Sequence, residues 1–170
     1  MDKKLILLTI TIISLVVVSG CGQKSLTEKQ IEKAMEDQMG QDVNVDLDSG
    51  AVKIETADGV SLETGEDVSL PTDFPTDVYV VDGQVISVMK NVMGADYQVT
   101  IKTDKSVPEV KDLYEEKLVD DSWEIGQSFA MADVVMLSAS KDDRTVSISV
   151  SDDEDSDGVL VIINIIEGLN

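Results

Sequence analysis

The sequence predicts an α+β fold with a largely antiparallel sheet and two helices. Three observations carry this. Apolar and polar residues alternate in a series of short runs, the period of half-buried strands. Helical spacing recurs in only two places, at Glu28–Met39 and after Ser106. The order is helix, strands, hairpin, strand, helix, strands, which is not the alternating βαβ of a parallel sheet. The expected organisation is a small N-terminal helix-plus-meander unit over 27–66, a Pro-containing linker over 67–77 and a larger α+β domain over 78–170.

Residues 1–20 read as a signal peptide. Asp2-Lys3-Lys4 opens with positive charge, an uncharged and mostly apolar run spans Leu5–Val18, and small residues precede Cys21. That is the layout of a secretory signal. The run is shorter than the roughly 20 apolar residues of a comfortable span. Val18-Ser19-Gly20-Cys21 resembles the lipobox of bacterial lipoproteins. The resemblance implies cleavage before Cys21 and acylation of its thiol, palmitate included. It also implies a lipid anchor on the extracytoplasmic face of the bacterial cell membrane. Cys21 is the only cysteine, so no intramolecular disulfide can form and a packed core must supply stability. Residues 21–26 form the anchor and tether. The five residues Gly22–Leu26 reach at most about 18 Å, which holds the fold close to the lipid.

Thr27 is the expected N-cap of the first helix, with Gln30 completing a capping box. Leu26 and Ile31 sit at the staple positions. Ile31, Ala34, Met35 and Met39 give the apolar stripe, and Gly40 ends the helix. Three strands follow: Val43/Val45/Leu47, Val52/Ile54 and Val60/Leu62, each with one apolar face. Ser49-Gly50 turns the first pair. Asp58-Gly59 reads as a two-residue turn of the type-I′ kind. The helix is the natural cover for the apolar face. A unit of about 40 residues is small for independent stability and is expected to dock on the remainder.

Pro71 and Pro75 bar helix and favour extended backbone. Val78–Val81, Asp82-Gly83 and Gln84–Lys90 read as a tight hairpin, and Ala95–Thr103 as the next strand. Ser106 caps the second helix with Glu109 at N3, and Pro108 is tolerated in its first turn. Val110, Leu113, Tyr114 and Leu118 form its stripe, and Asp121-Ser122 breaks it. Trp123–Ser128 and Met131–Ser140 are strand candidates, joined by the cleanly alternating Thr145–Val150. Val159–Ile166 is nearly all apolar, which marks a strand buried on both faces or central in its sheet.

Pro71-Thr72-Asp73-Phe74-Pro75-Thr76-Asp77-Val78, the helix with Leu113-Tyr114, and Trp123 together resemble a group of bacterial lipoproteins that carry a domain of unknown function. The resemblance spans roughly Leu26 to Ile166. It implies an envelope location and α+β architecture and brings no catalytic residues with it.

Composition narrows the chemistry. The chain holds 13 basic and 34 acidic residues and no histidine, for a net charge of −21. Nucleic acid, which needs clustered Lys and Arg, is excluded as a partner, as is electrostatic docking on anionic lipid. Missing histidine excludes Ser-His and Cys-His catalysis and His-based zinc sites. No Walker loop or G-x-G-x-x-G stands between a strand and a helix. A carboxylate pair for glycoside hydrolysis is not identified by abundance of acids alone. The expectation is no enzymatic activity and no cofactor, with an envelope protein or ligand as partner.

One string suggests a metal. Asp153-Glu154-Asp155-Ser156-Asp157-Gly158 matches the first half of a calcium loop, with oxygens from Asp153, Asp155 and Asp157. Asn164 stands where the bidentate Glu belongs, and strands rather than helices flank the loop. The ordinary reading is an acidic β-turn; the alternative is a weak Ca²⁺ site. Met35/Met39 and Met89/Met93 are spaced as Cu(I) thioethers could be, but core filling accounts for them. Trp123, Tyr97 and Tyr114 are assigned to the core in preference to a ligand platform.

Overall fold

The computed structural model describes residues 26–48, 50–92, 94–131, 134–153 and 158–168. These form helix α1 (Leu26–Met39), strands β1 (Val43–Asp48), β2 (Ala51–Thr56), β3 (Ser61–Gly65), β4 (Gln84–Val92) and β5 (Ala95–Thr103), and helix α2 (Val107–Asp120). Strands β6 (Glu124–Met131), β7 (Val134–Lys141), β8 (Arg144–Asp152) and β9 (Val159–Ile166) complete the fold. The strands make one nine-stranded sheet in the order β1-β2-β3-β4-β5-β9-β8-β7-β6. Every pairing is antiparallel. The meander therefore docks edge-on: β3 pairs with β4, and Leu62 sits opposite Met89.

Two meanders meet at β5 and β9. Helix α2 makes the crossover. Its 14 residues extend about 21 Å, enough to carry the chain back along the sheet to the far edge, where β6 begins. Strand β9 is central, as its uniform hydrophobicity predicts. Val161, Ile163 and Ile165 are fully buried on one face, and Ile162 and Asn164 are half-buried on the other.

The core lies on the inner face. Val99, Ile163, Ile148 and Leu137 align in one cross-strand row, and α2 covers it with Val107, Val110, Tyr114 and Leu118. Leu113, expected in the stripe, is only half-buried; Tyr114, one position on, takes the central site. The caps are as expected. The N–H of Ser106 bonds Glu109 Oε2 at 2.9 Å, and Ser122 at φ 64° follows the helix end.

The segment expected to be a linker is a strap across the rest of the inner face. Val68, Phe74, Val78 and Val81 are buried. Phe74 meets the Tyr97 ring edge-on with centroids 5.5 Å apart. Pro71 and Pro75 each open a tight turn, bonded from Phe74 and Val78 respectively. The expected hairpin strand at Val78–Val81 does not form. Its apolar side chains pack under α2, where the Val81 N–H points at the Tyr114 hydroxyl. Gly83 then passes so close to β5 that a Cβ there would lie 2.3 Å from the Lys102 carbonyl oxygen.

Three further expectations are corrected. Leu26 is already helical, so Thr27 is not the N-cap, and Leu26 is exposed rather than stapled to Ile31. Asp58 has no positive φ while Gly59 has φ 85°, which rules out a type-I′ turn. The connection is longer, with Thr56 N–H bonded to Val60 O. Strand β6 runs on through Phe129–Met131, beyond the expected break after Ser128.

Helix α1 meets the sheet in a way its stripe does not foretell. It lies along edge strand β1, covering Val43 and Val45, while Met39 is exposed. Oε1 of Glu28, Glu32 and Glu36 accepts from the N–H groups of Leu47, Val45 and Val43, at 3.0, 2.8 and 3.4 Å. Four helical residues rise about 6.0 Å and two strand residues about 6.8 Å. A Glu every fourth position can therefore follow every second N–H of an antiparallel edge.

Candidate functional site

A shallow, open hollow lies where α2 begins. Lys102 and Thr103 at the end of β5, with Asp104 and Lys105 of the β5–α2 link, line it. The Asp82-Gly83 turn and Gln84 make one wall, and Glu109 stands on the helix side. This hollow encloses about 650 Å³. A second, of about 510 Å³, shares Asp104, Lys105 and Glu109 with it and is walled by Asp152, Gly158 and Val159. Together they form one open groove along the ends of β5, β8 and β9.

The groove is held by local bonds. Thr103 Oγ1 donates to the Asp82 carbonyl at 2.8 Å, which fixes the strap to β5. Ser106 Oγ donates to Glu109 Oε2 at 2.6 Å. That bond and the Ser106 N–H hold the Glu109 carboxyl below its ordinary range. Lys102 and Lys105 bring positive charge among Asp82, Asp104, Glu109 and Asp152. Such a surface can bind a polar ligand through several hydrogen bonds at once.

Of the candidate calcium residues, Asp153 is described, and it follows Asp152, which lines the groove. Asp153 N–H bonds Gly158 O at 2.9 Å, which closes the loop ends on each other. The Asp153 carboxylate accepts an ion pair from Lys102 Nζ at 2.8 Å and is largely buried. Asp155 and Asp157 lie outside the described residues, as does Cys21. Among the described residues no three Asp or Glu side chains cluster as a metal site. Among the same residues no helix is long and apolar enough to cross a membrane.

Sequence reasoning missed a second charged cluster. Asp77 receives both guanidinium nitrogens of Arg144, at 2.9 and 2.6 Å, and Lys141 Nζ at 2.7 Å. Arg144, then Lys141, holds the Asp77 carboxyl far below the usual carboxylate range, against partial desolvation. Both cations also lie over the Trp123 ring, at 5.1 and 5.8 Å from its centroid. Trp123 Nε1 donates to the Asp77 carbonyl at 2.8 Å. This cluster pins the strap to the β7–β8 hairpin. Trp123, Tyr97 and Tyr114 are buried, the core role assigned to them. The available signal was the placement of two cations around Asp142-Asp143 in a chain poor in cations.

Residues 85–158 match the START domain-like family model. The match takes in β4, β5, α2 and β6–β8, and with them most of the groove. It points to a ligand-binding fold. No characterised protein and no solved structure matches the chain.

Proposed function

We propose that this chain is a lipid-anchored, extracytoplasmic binding protein of the bacterial cell envelope, without enzymatic activity. Cys21 carries the lipid, and the groove at the start of α2 receives a small polar ligand. The observation that carries the binding role is the START domain-like match over 85–158, which encompasses Lys102–Glu109. The lipobox-like Val18–Cys21 supports the anchor. The absence of histidine removes Ser-His and Cys-His nucleophilic catalysis. Ser106 and Glu109 do not act as nucleophile and base in this reading. Their contact caps α2, and a carboxyl of lowered pKa is a weak general base.

The test is retention of small molecules from an envelope extract by the purified full-length protein, read by mass spectrometry. Wild type should retain a species that Lys105→Glu does not, at equal melting temperature. Retention of nothing above background, or equal retention by both proteins, contradicts the reading.

A weak calcium-binding module is the second reading. The Asp153–Gly158 D-x-D-x-D-G string is what suggests it; the bond from Asp153 N–H to Gly158 O continues the β8–β9 ladder and serves an acidic turn equally well. The Lys102 ion pair competes with calcium for the Asp153 carboxylate.

A further inference from the structure

Helix α1 sorts its charges. Glu28, Glu32 and Glu36 face β1, where the Oε1 of each accepts a backbone N–H. Glu28 is 7% exposed and the other two are half-buried. The positions left open to solvent from Leu26 to Glu36 are Leu26, Lys29, Gln30, Lys33 and Ala34. They carry two cations and no anion. Leu26, where the helix opens, is 80% exposed. The first exposed acid is Asp37, eleven residues and roughly 16 Å along the axis from Leu26. Lys90, Lys102, Lys141 and Arg144 are each paired with a carboxylate. Among the described residues no carboxylate lies within ion-pair distance of Lys29 or Lys33.

The length of chain before the helix identifies the surface these residues meet. Leu26 stands five residues after Cys21, a reach of at most about 18 Å. Lys24 adds a third cation within that reach. The inference rests on the reading that Cys21 carries the lipid, which holds this face beside the bilayer. The net charge of −21 excludes anionic lipid for the molecule as a whole. Screening makes the local balance decisive, because at physiological ionic strength charges act over about 8 Å. The open charges nearest the anchor are all cationic.

The strength required is small. Each lysine at an anionic surface favours contact by about fivefold. Two or three lysines recruit no free acidic protein, but they orient one already tethered, because the lipid keeps the effective concentration high. Leu26 adds apolar area at the interface. We infer that the first three turns of α1 lie on the anionic headgroups of the membrane that holds Cys21. The sheet then stands with β1 nearest the bilayer and β6 farthest from it.

The test uses the full-length, acylated protein in vesicles of phosphatidylcholine, with or without about one-third phosphatidylglycerol. Cys21 is the only native cysteine, so Gln30→Cys takes a single fluorescent label. Gln127→Cys on β6, about 38 Å away across the sheet, is the control. A headgroup-quencher lipid should quench the label at position 30 at least about threefold more in anionic than in neutral vesicles. The label at position 127 should be quenched weakly and equally in both. Molar salt should remove the difference, as should Lys29→Glu combined with Lys33→Glu. Melting checks that this double variant is folded; if it is not, the salt arm decides. Flotation of the vesicles is measured in every sample. Protein that does not float overturns the anchor and this inference with it. Protein that floats with position 30 quenched alike in both vesicles, or no more than position 127, overturns the inference and leaves the anchor standing. A difference that persists in molar salt or in the folded double variant also overturns it.

Discussion

The carboxylate of Glu32 accepts the backbone N–H of Val45 at 2.8 Å. Edge strands need such cover, because unpaired N–H groups recruit other chains. Glu28, Glu32 and Glu36 supply it here from a helix. Glu32→Ala should accelerate amide exchange at Val45 by at least tenfold while leaving Val99 protected. Uniform acceleration across both sites would mean global destabilisation, and no change would mean that α1 does not guard the edge.

Asp77 should be the most consequential surface-proximal carboxylate for stability. Asp77→Asn removes the charge that pairs Arg144 and Lys141, a loss of about 1.5–3 kcal/mol for hydrogen bonds to charged groups. Its folded pKa is depressed. The stabilisation is therefore fully present above the unfolded value of about 3.9 and is lost as pH falls toward the folded value. Acid melts should show wild type losing its advantage over Asp77→Asn below about pH 4. A difference that stays constant down to pH 2 would contradict the pairing.

Helix α2 offers a graded test of the core. Leu118 is fully buried, so Leu118→Ala should cost about 2–5 kcal/mol in denaturant unfolding. Leu113→Ala, at a half-buried site, should cost about half as much. Equal costs, or the reverse order, would contradict the observed placement of the helix.

Calcium is separable from general screening. A chain at −21 is stabilised by any salt. Specific binding at about ten times Kd would add roughly 1.4 kcal/mol. Melting in millimolar calcium against matched-ionic-strength sodium should differ for wild type and not for Asp155→Asn if the loop binds. Equal shifts in both proteins would leave an acidic turn.

The parts legible in the sequence are those fixed by local rules. Ser106 with Glu109 announced α2, and the apolar run Val159–Ile166 announced the central strand, because caps and periodicity need only neighbouring residues. Val78–Val81 looked like a strand because an apolar run fits a buried strap equally well. The Asp77–Arg144 pair spans 67 residues of sequence, so no local pattern reports it. Nothing in the sequence singled out Glu28, Glu32 and Glu36, because acids at every fourth position look the same whether they meet water or an edge strand. The groove is assembled from three strand ends and a helix start, so local signals at Asp82-Gly83, Ser106 and Glu109 read as a turn and a cap and did not report that they share one surface.

The central claim, a binding protein held at the membrane through Cys21, is tested most directly by mass spectrometry of the N-terminal peptide from membrane-extracted protein. The account predicts a peptide beginning at Cys21 and carrying acyl mass, absent from Cys21→Ser. A peptide retaining residues 1–20, or an unmodified Cys21 in the membrane fraction, would contradict it.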